Sequence, residues 1–155
     1  MYDKIVLAYD GSREGRTALR EGALLARTCH AKVFLLSVVA ETEGVQIGEA
    51  AFAGAIAYEQ TSYRSVLDEG LEKLHHMGFE ATGRLVQGDP ARTIAAFAQE
   101  VSADLVVVGH KRRNAVQRWW SGSTSGDLLD HLGCSLLVAR KEFSDADFQV
   151  ALTRA

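Results

Sequence analysis

Five short runs rich in β-branched residues are spaced along the chain: "KIVLAY" (4–9), "KVFLLSVV" (32–39), "ATGRLVQ" (81–87), "DLVVVG" (104–109) and "SLLVAR" (135–140). Most are apolar without alternation, which a strand requires when both of its faces are covered, as in a parallel sheet. The third is more polar and alternates, as an edge strand does. Helical periodicity fills the gaps between them. Ala18, Gly22, Leu25 and Cys29 recur at helical spacing, as do Tyr63, Leu67, Leu71 and Leu74, then Ile94, Phe97, Ala98 and Val101. A last helix is expected to begin near Ser123 to Ser125, hydroxyl residues suited to capping, and to bury Leu128, Leu129 and Leu132. Strands alternating with helices predict an α/β fold: a single doubly wound, Rossmann-like, open parallel sheet of five strands with helices on both faces.

A chain of 155 residues, 47% of them hydrophobic, has enough apolar surface for one core, so residues 1–155 are read as a single domain. Within it, the Gly/Ala-rich stretch 41–57 reads as a loop or lid. The tail 141–155 has apolar residues at no clear period, which leaves docking and fraying both open. A net charge of −3 argues against the basic field that non-specific nucleic-acid binding needs, so no nucleic-acid partner is expected. Cys29 and Cys134 have no CxxC spacing and read as small buried hydrophobes. The opening "MYDKIVLAYDG" lacks the order of a signal peptide, and no apolar run has the length of a membrane span. A cytoplasmic protein without membrane association is the expectation.

Ligands of an open parallel sheet bind beyond the carboxyl ends of its strands, where the winding reverses. Polar and glycine residues collect at that rim: "YDGS" (9–12), "QGDP" (87–90) and "VGHKR" (108–112). Asp10, followed by Gly11 and Ser12, is either a carboxylate for a ribose hydroxyl or base edge, or the start of a capping turn. Gly109 lets the chain leave the fourth strand without a Cβ. Gly122, Ser123, Thr124 and Ser125 put backbone donors and hydroxyls at a helix start, which suits either a phosphate or ordinary capping.

Taken together, "KIVLAYDGS", "VQGDPARTI" (86–94), "DLVVVG" with the following "SGSTSGDLL", and "CSLLVAR" resemble the universal stress protein family over nearly the whole chain. Members that bind ATP carry Gly-x-x-Gly, nine residues, then Gly-Ser/Thr. Gly109, the gap from 113 to 121, and Gly122-Ser123 keep that spacing. The resemblance implies a small domain that binds ATP or AMP, with or without Mg²⁺, and acts as a dimeric stress-response sensor or regulator. It implies that Asp10, with Gly11 and Ser12, meets the ribose or adenine, that Val39 meets the adenine, and that Gly88 closes the rim. Gly109, Gly122, Ser123, Thr124 and Ser125 would hold phosphates. His110, directly after Gly109, is by position either a phosphate contact or acid/base group, or an exposed loop histidine. It also implies a homodimer through the last strand, around Leu136 and Val138.

Arg112 stands where the motif has its second glycine. A non-glycine residue held left-handed costs roughly 1–2 kcal/mol, whereas a guanidinium can pair with phosphate oxygens. The alternative is therefore a dimeric interaction protein of the same family type that binds no nucleotide. Trp119 and Trp120 precede the turn and either stack on a base or pack the loop. Adjacent His75 and His76 point to different sides of a helix, which is poor geometry for a shared metal. The chain has no His-Glu-x-x-His, no Gly-x-Ser-x-Gly and no Walker lysine after a glycine loop. At most slow ATP hydrolysis is expected, and no catalytic residue is assigned.

Overall fold

The computed structural model describes residues 1–39, 49–110 and 128–155, with 49–60 in backbone only. The elements run β1 (Lys4–Ala8), α1 (Arg13–Cys29), β2 (Lys32–Val39), α2 (Glu49–His76), β3 (Thr82–Gln87), α3 (Pro90–Val101), β4 (Leu105–Gly109), α4 (Leu128–His131), β5 (Ser135–Ala139) and α5 (Asp145–Arg154). The five strands form one sheet in the order β3-β2-β1-β4-β5, and every neighbouring pair is parallel. Ile5 sits opposite both Val33 and Leu105, which centres β1 in the sheet. The more polar third run is an edge strand, and its start alternates in exposure because successive side chains point to faces that are unequally covered.

Side chains of a strand alternate between faces, and here both faces are covered. Ile5, Leu7 and Tyr9 pack with Ala18, Leu19 and Ala23 of α1 and with Leu67 and Leu74 of α2. Val6 and Ala8 face the other way, against Ala91, Ile94 and Phe97 of α3 and Leu128 of α4. This two-sided burial is why the runs read as continuously apolar. Both long interhelical layers are closed at their ends by caps: Ser12 opens α1 and Asp89 opens α3, each accepting a backbone N–H with its side chain. His30 and Ser102 end the same helices in left-handed backbone at φ 53° and 54°.

Three expectations are corrected. Residues 49–57, read as part of a loop, form the start of α2. Alanine at positions 50, 51, 53, 55 and 57 is the strongest helix former and outweighs the single Gly54; positions 41–48 lie outside the described residues. Leu129 is 49% exposed rather than buried, because Leu128 takes the core-facing position and the next residue is turned by about 100°. Cys29 and Cys134 are half-buried free thiols, and burial pushes the Cys134 thiol upward. The start of α4 expected near Ser123 to Ser125 lies outside the described residues.

The tail docks. Phe148, 2% exposed, is the buried residue of α5, and its ring lies 6.2 Å from that of Phe143. Arg20 of α1 donates to the carbonyl of Phe143 at 3.0 Å and pairs with Asp145, while its guanidinium lies 5.3 Å from the Phe148 ring centre. One apolar anchor and one arginine thus hold α5, too few positions to leave a period in the sequence.

Candidate functional site

The winding reverses between β1 and β4. From β1 the chain moves outward through β2 to β3, then returns to lay β4 on the other side of β1 and β5 beyond it. Asp10 and Gly109 follow or end those two central strands, so the topology puts both at the crevice.

Just past β1, Tyr9 is still held in the sheet: its N–H donates to the carbonyl of Leu36 at 2.9 Å, and the buried Ser37 hydroxyl donates to its carbonyl at 2.8 Å. Gly11 then turns the chain at φ +74°, a conformation costly for residues with a Cβ. The Asp10 carboxylate accepts from the Ser12 N–H at 3.0 Å and from its hydroxyl at 2.5 Å. The same Ser12 oxygen accepts the Gly15 N–H at 3.0 Å. Asp10, Gly11 and Ser12 therefore form an Asx turn joined to a helix cap, the local role that the sequence left open for Asp10. This network fixes the carboxylate at the mouth of the crevice. Behind it the Tyr9 hydroxyl lies 3.3 Å from Glu69, and burial, then the Glu69 charge, raises its pKa.

Gly109 ends β4 against the first turn of α1. A Cβ there would stand 2.4 Å from the Glu14 carbonyl oxygen, so the close approach of strand and helix requires glycine. This packing role holds whatever the rim binds. The next residue, His110, donates its N–H to the carbonyl of Ala139 at 3.1 Å. Its side chain lines a cleft of about 350 Å³ that includes Arg13, Glu14, Arg140 and Glu142. Arg13 and Glu142 form an ion pair at 2.6 Å. Arg13 and Arg140 had no sequence signal, since they come from the start of α1 and the end of β5 and meet only in the fold.

Val39 and Gly88 close the rim on the far side of β1. Val39 is buried, and its carbonyl accepts the Gly88 N–H at 3.0 Å, joining the ends of β2 and β3. Asp89 follows as the cap of α3, accepting the Arg92 N–H at 3.0 Å, and Pro90 occupies the first turn, where a missing N–H is harmless. The structure thus brings Asp10, Gly11, Ser12, Val39, Gly88, Gly109 and His110 to one rim. Arg112, Gly122, Ser123, Thr124 and Ser125, with Trp119 and Trp120, lie outside the described residues. Ser37, which sequence reasoning missed, is the buried polar residue that ties β1 to β2 beneath the rim. Among the described residues no helix is long and apolar enough to cross a membrane.

The profile of the Universal stress protein family matches residues 1–140. A Staphylococcus aureus (strain USA300) protein bearing a universal stress protein name is 30% identical over 154 residues, covering 96% of this chain and 90% of its own length. Among solved structures, a universal stress family protein of Burkholderia pseudomallei is 27% identical with a TM-score of 0.67, covering 88% of this chain and 95% of that one. A family protein from Arabidopsis thaliana with AMP bound is 20% identical with a TM-score of 0.62, covering 94% and 99%. Two further structures of this fold, at 19% and 22% identity, are complexes with cAMP and with dAMP. The family match over residues 1–140, with a relative 30% identical across 96% of the chain, makes this chain a member of the universal stress protein family.

Proposed function

We propose that the chain is an adenine-nucleotide-binding domain that works as a dimeric sensor or regulator in a stress response. One observation carries the reading: the fold sets the Asp10 carboxylate and Gly109 against the same first turn of α1 at the switch point, next to a cleft lined by Arg13 and Arg140 together with Glu14, His110 and Glu142. A carboxylate is an acceptor for ribose hydroxyls, and arginines beside it suit phosphate oxygens. The motif spacing Gly109 to Gly122-Ser123 and relatives solved with AMP, cAMP and dAMP support the same ligand class. ATP and AMP are the candidate ligands, with Mg²⁺ on the phosphates of ATP.

The test is calorimetric titration with ATP and with AMP, each with and without Mg²⁺, on protein freed of carried-over nucleotide. Saturable binding that is lost in Gly122→Val is the expected result. No heat at millimolar nucleotide, from a folded protein, would refute it and favour the second reading, a nucleotide-free interaction protein. Arg112 in place of the motif glycine is what favours that reading. The two readings share the dimer. β5 bonds to β4 alone among the described strands, and Ser135 and Ala139 both bond toward β4. In a parallel strand successive residues bond to opposite sides, so Leu136 and Val138 turn their backbone groups to the open edge. A second β5 is the proposed partner for that edge.

A further inference from the structure

Three arginines of α1, Arg13, Arg16 and Arg20, are spaced three and four residues apart and so share one helical face. Arg13 and Arg16 keep 76% and 53% of their side chains exposed, and with α5 on one side and the end of α2 on the other they border an open cleft of about 460 Å³. That volume lies within the range of small-molecule sites. Half-buried Met77 and Phe143 supply the accessible apolar lining, since Leu19 and Phe148 are only 1% and 2% exposed, and Lys73 adds to the basic side. In a chain of net charge −3, this is a local concentration of positive charge.

The ion pairs decide which cations are available. Arg13 has Glu142 and Arg20 has Asp145. Arg16 and Lys73, however, share one oxygen of one carboxylate, Glu69 Oε1, at 3.3 and 3.5 Å. That oxygen also lies 3.3 Å from the Tyr9 hydroxyl. One carboxylate serves two cations, which leaves a positive charge in surplus beside an apolar lining.

We propose that this cleft binds a small amphipathic carboxylate, its charged end on Arg16 and Lys73 and its aliphatic body over the half-buried Met77 and Phe143. Charge and shape both select this chemistry. A strongly hydrated inorganic anion would leave the apolar lining unused, and a neutral hydrocarbon would leave the surplus cation unpaired. The site adjoins the nucleotide rim, since Arg13, Thr17 and Glu142 line both clefts, but Arg16 and Lys73 belong to this cleft and not to the rim. The proposal does not depend on nucleotide binding.

The experiment is calorimetric titration of the full chain with sodium decanoate, with decanol as the uncharged control and circular dichroism to confirm folding of each variant. Saturable one-to-one binding is expected, about tenfold tighter than decanol. The R16Q/K73Q double variant is expected to lose about tenfold in affinity. Glu69→Gln, which frees both cations, is expected to bind decanoate more tightly than the parent. Absent saturable binding to folded protein, equal affinity for decanol, or affinity unchanged in R16Q/K73Q would each overturn the proposal. Because Arg13, Thr17 and Glu142 border both clefts, the loss in R16Q/K73Q, and not competition with ATP, assigns the decanoate to this cleft.

Discussion

At Gly109 a single missing Cβ decides how closely α1 approaches β4, because the Glu14 carbonyl occupies the space a side chain would need. Gly109→Ala is expected to destabilise the fold by about 1–3 kcal/mol through overpacking, measured by urea denaturation, whether or not nucleotide is present. Ser12→Ala removes the acceptor of the Gly15 N–H and the donor to Asp10, and should cost about 1 kcal/mol in the same assay. These two residues show how far the sequence was legible here. Their identities signalled a turn and a tight exit from a strand, but the partner that makes glycine necessary, a carbonyl on α1, is remote from Gly109 in the chain.

Between elements, the clearest electrostatic tie joins the starts of β1 and β4. The Asp104 carboxylate accepts the N–H groups of Asp3 and Lys4 at 2.8 and 2.9 Å, and these hydrogen bonds hold its pKa below the usual carboxylate range. A group depressed in the folded state binds fewer protons there than in the unfolded chain, so its stabilisation is present above the ordinary carboxylate pKa and fades as pH falls through the folded value. Asp104→Asn should therefore lower stability near neutral pH and converge with the parent in acid, as thermal melts across pH would show. α5 is the other tie of interest. Phe148→Ala should release it, speeding hydrogen exchange at 145–154 while the amides of β1 and β4 keep their protection, since α5 packs on α1 and not on the sheet core. Most strands were legible as continuous apolar runs and the helices α1 and α3 because each repeats an apolar period. The start of α2 was not, because alanine and glycine together carry both helix and loop signals, and α5 was not, because one anchor makes no period.

For the whole molecule, the open β5 edge makes oligomeric state the property to measure. Val138→Pro removes an N–H directed to that edge and spares the ladder to β4. On the proposed β5 pairing it is expected to convert a dimer to a monomer by sedimentation, with the circular dichroism spectrum retained; a monomeric parent would refute that pairing, and an unchanged dimer would assign the interface elsewhere. The order of strands and helices, the parallel sheet and the rim at its carboxyl edge were determined by the sequence alone, because two-sided burial imposes apolar runs and strand exits impose glycine and capping residues. The tertiary structure decided what the sequence could not hold: the arginines that meet His110 and the cleft between α1 and α5. Each depends on side chains from separate elements arriving at one place, and that proximity is set by packing across the sheet, with no trace in local periodicity.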